Sequence, residues 1–248
     1  MHSVWLSPTR PAPLARTRLV CLPAAGGGAS AYLGWPALLA PDVEVWCAQL
    51  PGRERRFGEP ALASAGAVAG PLAAAVTALV PRPYVLFGHS MGALLALEVA
   101  RETEPAHLVV SAARAPHLGL PGDPHLGTDA ELVRWLAALG GIPAELDTDL
   151  LELLLPTLRA DLRLCADYLS GGVRAPVPVP ITALGGADDP LAPPAAVAAW
   201  SGCTTAGFAQ LTFPGGHFYL DEHAAAVTAE IRDRSLSTMD LQAAEGVR

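Results

Sequence analysis

Residues 88–92, with the sequence Gly-His-Ser-Met-Gly, constrain the fold of this chain more than any other feature. An apolar run at 84–87 precedes them and a helix-forming run at 93–101 follows. A serine at the tip of a sharp turn between a strand and a helix is the arrangement of a nucleophile elbow. The glycines leave room for the tight turn, and the helix N-terminus directs N–H groups toward a developing oxyanion. The sequence therefore predicts Ser90 as a catalytic nucleophile.

Composition limits the class of protein. The chain has 248 residues, of which 51% are hydrophobic and 16% are charged. This is enough for one large α/β domain and excludes a mainly disordered chain. The net charge of −8 argues against a nucleic-acid partner. The four cysteines lack a C-x-x-C spacing and no signal peptide opens the chain, which favours free thiols in the cytoplasm.

Short apolar runs alternate with helical segments along most of the chain. We predict helices at 30–39, 61–80 and 222–233 and strands at 19–22, 43–49, 84–87, 108–111, 177–184 and 208–213. This alternation predicts an α/β fold with a mainly parallel central sheet and helices on both faces, as a single domain over residues 1–248. The uncharged segment 61–80 has the length of a membrane span, but its helical spacing favours a helix packed on the sheet.

Residues 118–172 interrupt the alternation. Three helices, at 129–139, 147–158 and 162–169, follow one another there without a strand. We interpret 118–172 as an inserted helical lid over the active site, the alternative being an extra packing layer. The tail from residue 235 has weak apolar content, and we expect it to fray.

A base for the serine comes from later in the chain. In a fold of this kind the acid and then the histidine follow the serine. His217 follows the last predicted strand in a glycine-rich loop that can bring an imidazole over the sheet. We predict His217 as the general base in preference to His223, which falls in the final helix. His89 adjoins the serine and is predicted to point away from the reacting face.

Two consecutive carboxylates, Asp188 and Asp189, are candidates for the acid that orients the imidazole. Many hydrolases of this fold have a glycine three residues before the acid and a proline after it. Gly186 and Pro190 give Asp189 that frame, but Gly185 stands three residues before Asp188. Asp189 is therefore the predicted acid, and Asp188 is the alternative.

The oxyanion hole is expected to use backbone N–H groups on both sides of the serine. One donor is Met91, and the other comes from the loop at 23–28 after the first predicted strand. Ala25 is the predicted donor and Ala24 the alternative. A glycine-rich turn without function and a phosphate cradle are other interpretations of this loop, but no Gly-Lys-Ser/Thr follows it.

Five ordered motifs resemble those of the type II thioesterases that serve nonribosomal peptide and polyketide synthases. They are the first loop (22–27), the segment 49–54 with 59–60, the elbow (87–93) with 98–101, the lid segment 158–161 with Tyr168, and the histidine loop (215–218) with Leu220. The match extends over most of the chain. A lone G-x-S-x-G would not separate this family from lipases, whereas five motifs in order do.

The resemblance implies an α/β-hydrolase fold and a thioesterase that acts on acyl groups held by the phosphopantetheine arm of acyl or peptidyl carrier proteins. Such enzymes clear stalled or mis-loaded synthases. Ser90, His217 and Asp189 would act through an acyl-enzyme, with no metal and with no bound cofactor beyond the pantetheine that the substrate carries. A carboxylesterase or lipase on the same fold and a non-catalytic module that binds acyl carriers are the alternatives.

Arg53, Arg55 and Arg56 form the basic cluster of the chain. Carrier proteins are usually acidic, so this cluster is a candidate docking patch on an otherwise acidic protein. The prediction favours a structural role instead, in which Arg53 and its neighbours pair with Glu54 and the surrounding loop.

Overall fold

A mainly parallel sheet forms the centre of the molecule. The computed structural model defines the backbone of residues 3–141 and 148–245 and the side chains of residues 3–141 and 151–237. The strands are β1 (Leu6–Pro8), β2 (Thr17–Leu22), β3 (Val43–Ala48), β4 (Tyr84–His89), β5 (His107–Ser111), β6 (Ile181–Gly186) and β7 (Phe208–Phe213). They lie in the order β1-β3-β2-β4-β5-β6-β7, with β1 antiparallel to β3 and the other neighbours parallel. The predicted fold class is confirmed.

Helices cover both faces of this sheet. They are α1 (Trp35–Leu39), α2 (Ala65–Leu79), α3 (Met91–Thr103), α4 (Asp129–Ala138), α5 (Thr148–Ser170), α6 (Pro194–Ala198) and α7 (Leu220–Glu245). Leu72 of α2 belongs to the same buried cluster as Leu86 of β4. Trp35 of α1 and Ile231 of α7 belong to a second cluster with Phe87. Because successive side chains of a strand point to opposite faces, β4 contributes to both cores.

Two strands differ from the prediction. The strand expected at 177–184 begins only at Ile181, and Val177 forms an isolated bridge. Strand pairing cannot extend through 176–180 because every second residue there is a proline, which has no backbone N–H to donate. The short strand β1 was not predicted. It ends at Pro8 on the edge of the sheet, where a proline is tolerated.

Several helix boundaries also differ from the prediction. The segment expected as one helix at 30–39 contains Gly34 and divides into a 3-10 turn, Ala29–Tyr32, and α1. The helices expected at 147–158 and 162–169 are one continuous helix, α5, because the Arg-Ala-Asp between them contains no helix breaker. The final helix reaches Glu245, so the tail expected to fray is helical that far. Residues 142–147 and 246–248 lie outside the described ranges.

The segment between β5 and β6 carries α4 and α5. A small separate cluster joins the two helices, formed by Leu132, Leu155, Leu158 and Leu162. Ala25, in the loop after β2, packs against this cluster. The inserted helices therefore lie against a loop at the carboxyl edge of the sheet, which is the edge where parallel α/β sheets place their sites.

Helix α2 accounts for most of the uncharged segment 61–80. Ser64 caps its N-terminus by accepting the N–H of Ala67, and Leu72 and Val76 are fully buried. The helix therefore packs on the sheet as expected. No helix within the described ranges combines the length and the hydropathy needed to cross a bilayer.

Candidate active site

A sharp turn carries Ser90 between β4 and α3. Ser90 has φ +54° and ψ −116°, a backbone conformation that residues other than glycine rarely adopt. A Cβ on Gly88 would overlap the carbonyl of Gly92, and a Cβ on Gly92 would overlap the backbone of Leu22 at the end of β2. Both glycines are thus required by the close approach of backbone to backbone, and the turn presents the serine hydroxyl at the sheet edge.

Three side chains meet at this turn. His217 Nε2 lies 2.9 Å from Ser90 Oγ, and His217 Nδ1 lies 2.8 Å from Asp189 Oδ2. His217 and Asp189 are both buried. Asp189 Oδ1 accepts the N–H groups of Leu191 at 2.8 Å and Ala192 at 3.1 Å. With Nδ1–H donated to Asp189, the Nε2 lone pair faces the hydroxyl, which is the tautomer that can accept its proton.

The environment of Asp189 keeps its carboxylate ionised. Burial by itself would raise the pKa of Asp189. The hydrogen bond and the charge of His217, together with the N–H groups of Ala192 and Leu191, outweigh burial and lower that pKa below its usual value. The carboxylate can therefore stabilise an imidazolium on His217.

The structure separates the two candidate acids. Asp188 is exposed, and its backbone N–H donates to the carbonyl of Gly215 at 2.9 Å. A Cβ on Gly186 would overlap the carbonyl of Gly216, so the acid loop and the histidine loop touch at this glycine. This contact explains why the glycine three residues before Asp189 matters. It brings Asp189, and not Asp188, to His217.

Two backbone N–H groups at the cavity that contains Ser90 have no hydrogen-bond partner within the described residues. No hydrogen bond in the described part of the chain uses the N–H of Met91, the first residue of α3, or that of Ala25. Ala25 and Met91 line the same cavity as Ser90, whereas Ala24 lines only a neighbouring cavity. The geometry therefore favours Ala25 over Ala24 as a partner of Met91.

The prediction that Arg53 forms an ion pair with Glu54 is wrong. Arg53 is buried and pairs with Asp161 of α5, at 2.6 Å between Nη1 and Oδ2. Glu54 instead accepts the N–H groups of Ala29 at 3.0 Å and Ser30 at 2.8 Å. The backbone of Glu54 is in the left-handed region, with φ +48°. The pairing of Asp161 with Arg53 was not predicted, although Asp161 lies in the lid motif.

The other two arginines of the cluster differ in exposure. Arg56 binds both carboxylate oxygens of Glu59 and lies 4.2 Å above the Trp5 ring. Arg55 is exposed. Two of the three cations are therefore committed to internal contacts, which leaves Arg55 as the cation of this cluster that a partner can reach.

His89 makes structural contacts beside the site. Its Nδ1 lies 2.9 Å from Ser111 Oγ, which lies 2.7 Å from the Tyr219 hydroxyl. Burial and the charge of His217 lower the pKa of His89 to about 3. The ring is therefore neutral at physiological pH, and its centroid lies 5.5 Å from that of His217.

A largely apolar cavity of about 410 Å³ opens at Ser90 and His217. Trp135 of α4 and Leu162 of α5 line its wall together with Leu94 of α3. A second cavity of about 450 Å³ adjoins it, and Ala25 contributes to both. An apolar compartment beside a nucleophile suits an apolar acyl group. Within the described ranges, no three His, Cys, Asp or Glu side chains come together as metal ligands.

The model of the thioesterase domain family matches residues 17–235 of this chain. The matched range contains every residue of the site described above. The chain belongs to the thioesterase family. The prediction that it is a thioester hydrolase is thereby confirmed.

Relatives and solved structures agree with this assignment. The thioesterase is 37% identical over 217 residues to the gramicidin S biosynthesis protein GrsT of Aneurinibacillus migulanus, covering 84% of each chain. It is 36% identical over 249 residues to thioesterase PikA5 of Streptomyces venezuelae, covering 95% of this chain and 86% of PikA5. The type II thioesterase BorB from the borrelidin biosynthetic cluster superposes with a TM-score of 0.86 at 40% identity, over 95% of this chain and 99% of BorB.

Proposed function

We propose that this thioesterase hydrolyses acyl groups from the phosphopantetheine arm of acyl or peptidyl carrier proteins, and that it clears stalled or mis-loaded chains from a nonribosomal peptide or polyketide synthase. One observation carries the chemistry: Ser90 Oγ lies 2.9 Å from His217 Nε2 at the mouth of an apolar cavity. The names of GrsT and BorB, which refer to gramicidin S biosynthesis and to the borrelidin biosynthetic cluster, support the carrier-bound substrate.

In the first half of the reaction the Ser90 hydroxyl attacks the thioester carbonyl. A C–O bond forms as His217 Nε2 takes the hydroxyl proton, and the carbonyl electrons move to oxygen. The N–H groups of Met91 and Ala25 stabilise this oxyanion, and Asp189 stabilises the imidazolium through Nδ1. When the oxyanion collapses, the C–S bond breaks and His217 returns the proton to the departing sulfur.

In the second half a water molecule replaces the thiol. His217 takes a proton from this water as its oxygen attacks the acyl-serine carbonyl. Collapse of the second oxyanion breaks the C–O bond to Ser90, and His217 protonates the serine. The products are a free acid and a carrier with a free thiol. These steps use no metal and no cofactor of the enzyme, because the pantetheine belongs to the substrate.

We also propose a cytoplasmic location, where synthases would encounter the enzyme. All four cysteines, each within the described ranges, are buried free thiols. Thiols persist where the surroundings are reducing.

The decisive variant is Ser90→Ala, assayed by release of free thiol from an acyl-carrier protein. We expect a loss of at least about 10³-fold in kcat, because the variant has no nucleophile. Ser201→Ala, which changes an exposed serine, is the matched control and keeps the wild-type rate. Equal rates for the wild type and Ser90→Ala would contradict the mechanism.

Two further measurements separate the alternatives. A matched oxygen ester turned over faster than the carrier-bound thioester would favour a carboxylesterase or lipase. A serine-directed fluorophosphonate probe that fails to label the folded protein would favour a non-catalytic binding module.

A further inference from the structure

The Arg53–Asp161 ion pair joins three separate parts of the chain. Arg53 Nη1 and Nη2 lie 2.6 Å and 2.9 Å from the two Asp161 oxygens, so the pair is bidentate. Arg53 and Asp161 are only 5% and 3% exposed. Arg53 follows β3, whereas Asp161 lies in α5, 108 residues later. A desolvated pair with this geometry holds its two elements at a fixed separation.

The same pair is hydrogen-bonded to the backbone directly after Ala25. Asp161 Oδ2 accepts the N–H of Gly26 at 2.8 Å, and Arg53 Nη1 donates to the carbonyl of Gly27 at 3.0 Å. Gly27 N–H in turn donates to the Ala24 carbonyl at 3.0 Å, and Gly26 has φ +72°. This pattern is a type II turn with Ala25 at its first central position. The pair therefore sets the orientation of the turn that carries the Ala25 N–H.

Charge gives the pair a second role. Asp161 accepts the N–H of Gly26, which belongs to the peptide unit next to the Ala25 N–H that the proposed function places in the oxyanion hole. A carboxylate left uncompensated there would repel an oxyanion through a poorly screening interior. Arg53 cancels that charge while Asp161 keeps its hydrogen bond to the loop. Loss of Arg53 alone should consequently harm the reaction more than loss of both charges.

We propose that Arg53 and Asp161 are positioning residues of the reaction, which hold the Ala25 N–H in the oxyanion hole and keep that hole free of net negative charge. The proposal rests on the proposed function, in which Ala25 is an oxyanion donor. It makes α5 a structural part of the oxyanion hole as well as a wall of the substrate cavity. Neither residue touches the substrate.

The test compares kcat and KM on an acyl-carrier substrate for Arg53→Met, Asp161→Asn and the double variant. We expect Arg53→Met to lower kcat by about 10- to 100-fold with KM within about threefold, since the hole acts on the transition state. The double variant should recover at least about threefold of the lost kcat. Binding of a boronic acid, whose adduct with Ser90 places an oxygen in the hole, should weaken in parallel with kcat.

Two controls address the possibility of a merely structural role. Thr157→Val removes a 2.9 Å bond from α5 to the Gly52 carbonyl. Arg159→Ala removes the pair with Asp129 together with the bonds to the carbonyls of His125 and Gly127. None of these bonds touches residues 24–27, so both controls should lower the melting temperature yet keep kcat. If Arg53→Met does not fold, Arg53→Gln, which removes the charge but keeps a side-chain donor, replaces it in the same comparison.

The outcomes distinguish this inference from the proposed function. Folded Arg53 and Asp161 variants with wild-type kcat would overturn the inference, and so would controls that lose kcat equally. Those results leave the function intact as long as Ser90→Ala is inactive. An active Ser90→Ala would instead overturn the function itself.

Discussion

The elbow that carries Ser90 and the neighbouring loop at 23–28 are held in place in different ways. The elbow at 88–92 is fixed by close packing of backbone on backbone, because Gly88 approaches the Gly92 carbonyl, and Gly92 the Leu22 carbonyl of β2, too closely for any side chain. The loop at 23–28 is fixed by side chains from elsewhere, with Asp161 on Gly26 and Glu54 on Ala29 just beyond its end. The elbow therefore depends on backbone sterics, whereas the loop at 23–28 depends on charged side chains from distant parts of the sequence.

The two halves of the proposed oxyanion hole are therefore expected to differ in their sensitivity to substitution. The Met91 donor belongs to the elbow and cannot shift unless β4 and α3 also move. The Ala25 donor belongs to a loop whose position is set by charged side chains. Substitutions far from Ser90 in sequence are therefore expected to act on the Ala25 side of the hole.

The largest effect is expected for an alanine at Gly92. Its Cβ would overlap the Leu22 backbone, which is held between paired strands and cannot yield, so Gly92→Ala should abolish folding or thiol release. Gly28→Ala is the matched substitution in the other loop. Its Cβ would meet only the Glu54 carboxylate, a flexible end, so this variant should fold. Circular dichroism reports the folding of each variant, and thiol release reports its activity. A folded, active Gly92→Ala would contradict the claim that backbone sterics fix the elbow.

A smaller effect is expected on stability at low pH, through His89 in the elbow. Unfolded His89 takes up a proton near pH 6.5, whereas folded His89 has a pKa of about 3. The contribution of His89 to the free energy of unfolding should therefore be fully present above about pH 6.5 and should decrease as the pH drops. The loss at pH 5 is on the order of 2 kcal/mol. His89→Gln should flatten the curve measured by urea denaturation.

His107 provides the control for that pH dependence. Burial lowers its pKa to about 4, and its Nε2 lies 2.8 Å from Thr182 Oγ1, away from the elbow. His107→Gln should remove a similar part of the slope without changing kcat. An unchanged slope in His89→Gln would show that His89 does not resist protonation in the folded state.

The smallest effect is expected for Glu54→Gln. The amide oxygen can still accept one of the N–H groups of Ala29 and Ser30, but the charge that favours both bonds is lost. We expect kcat to fall by about two- to fivefold, because the far end of the loop loosens while Asp161 still holds Gly26. Steady-state kinetics on the acyl-carrier substrate measure this change. A loss larger than that of Arg53→Met would place the main support of the loop at Glu54.

The same contrast explains what the sequence could predict. Ser90 and His217 follow from a local motif and from chain order, and the structure brings them within 2.9 Å. The choice between Asp188 and Asp189 stayed open because it depends on the contact between Gly186 and Gly216, two segments apart in sequence.

Long-range contacts account for most of the remaining errors. No local pattern pairs Arg53 with Asp161, because 108 residues separate them. The edge strand β1 is too short for a periodicity to be recognised. The unbroken course of α5 also depends on its tertiary contacts as much as on its own residues, since Pro156 lies inside it.

The anchoring of α5 limits how substrates can enter. Thr157 is bonded to Gly52 and Asp161 to Gly26, so the second half of this helix is tied to the body of the enzyme at two points. An opening that preserves these bonds would leave the second half of α5 in place and would move segments upstream of Pro156. A carrier-borne arm that needs such an opening would then enter from that side, and the chemistry at Ser90 would be undisturbed while the entrance changes shape.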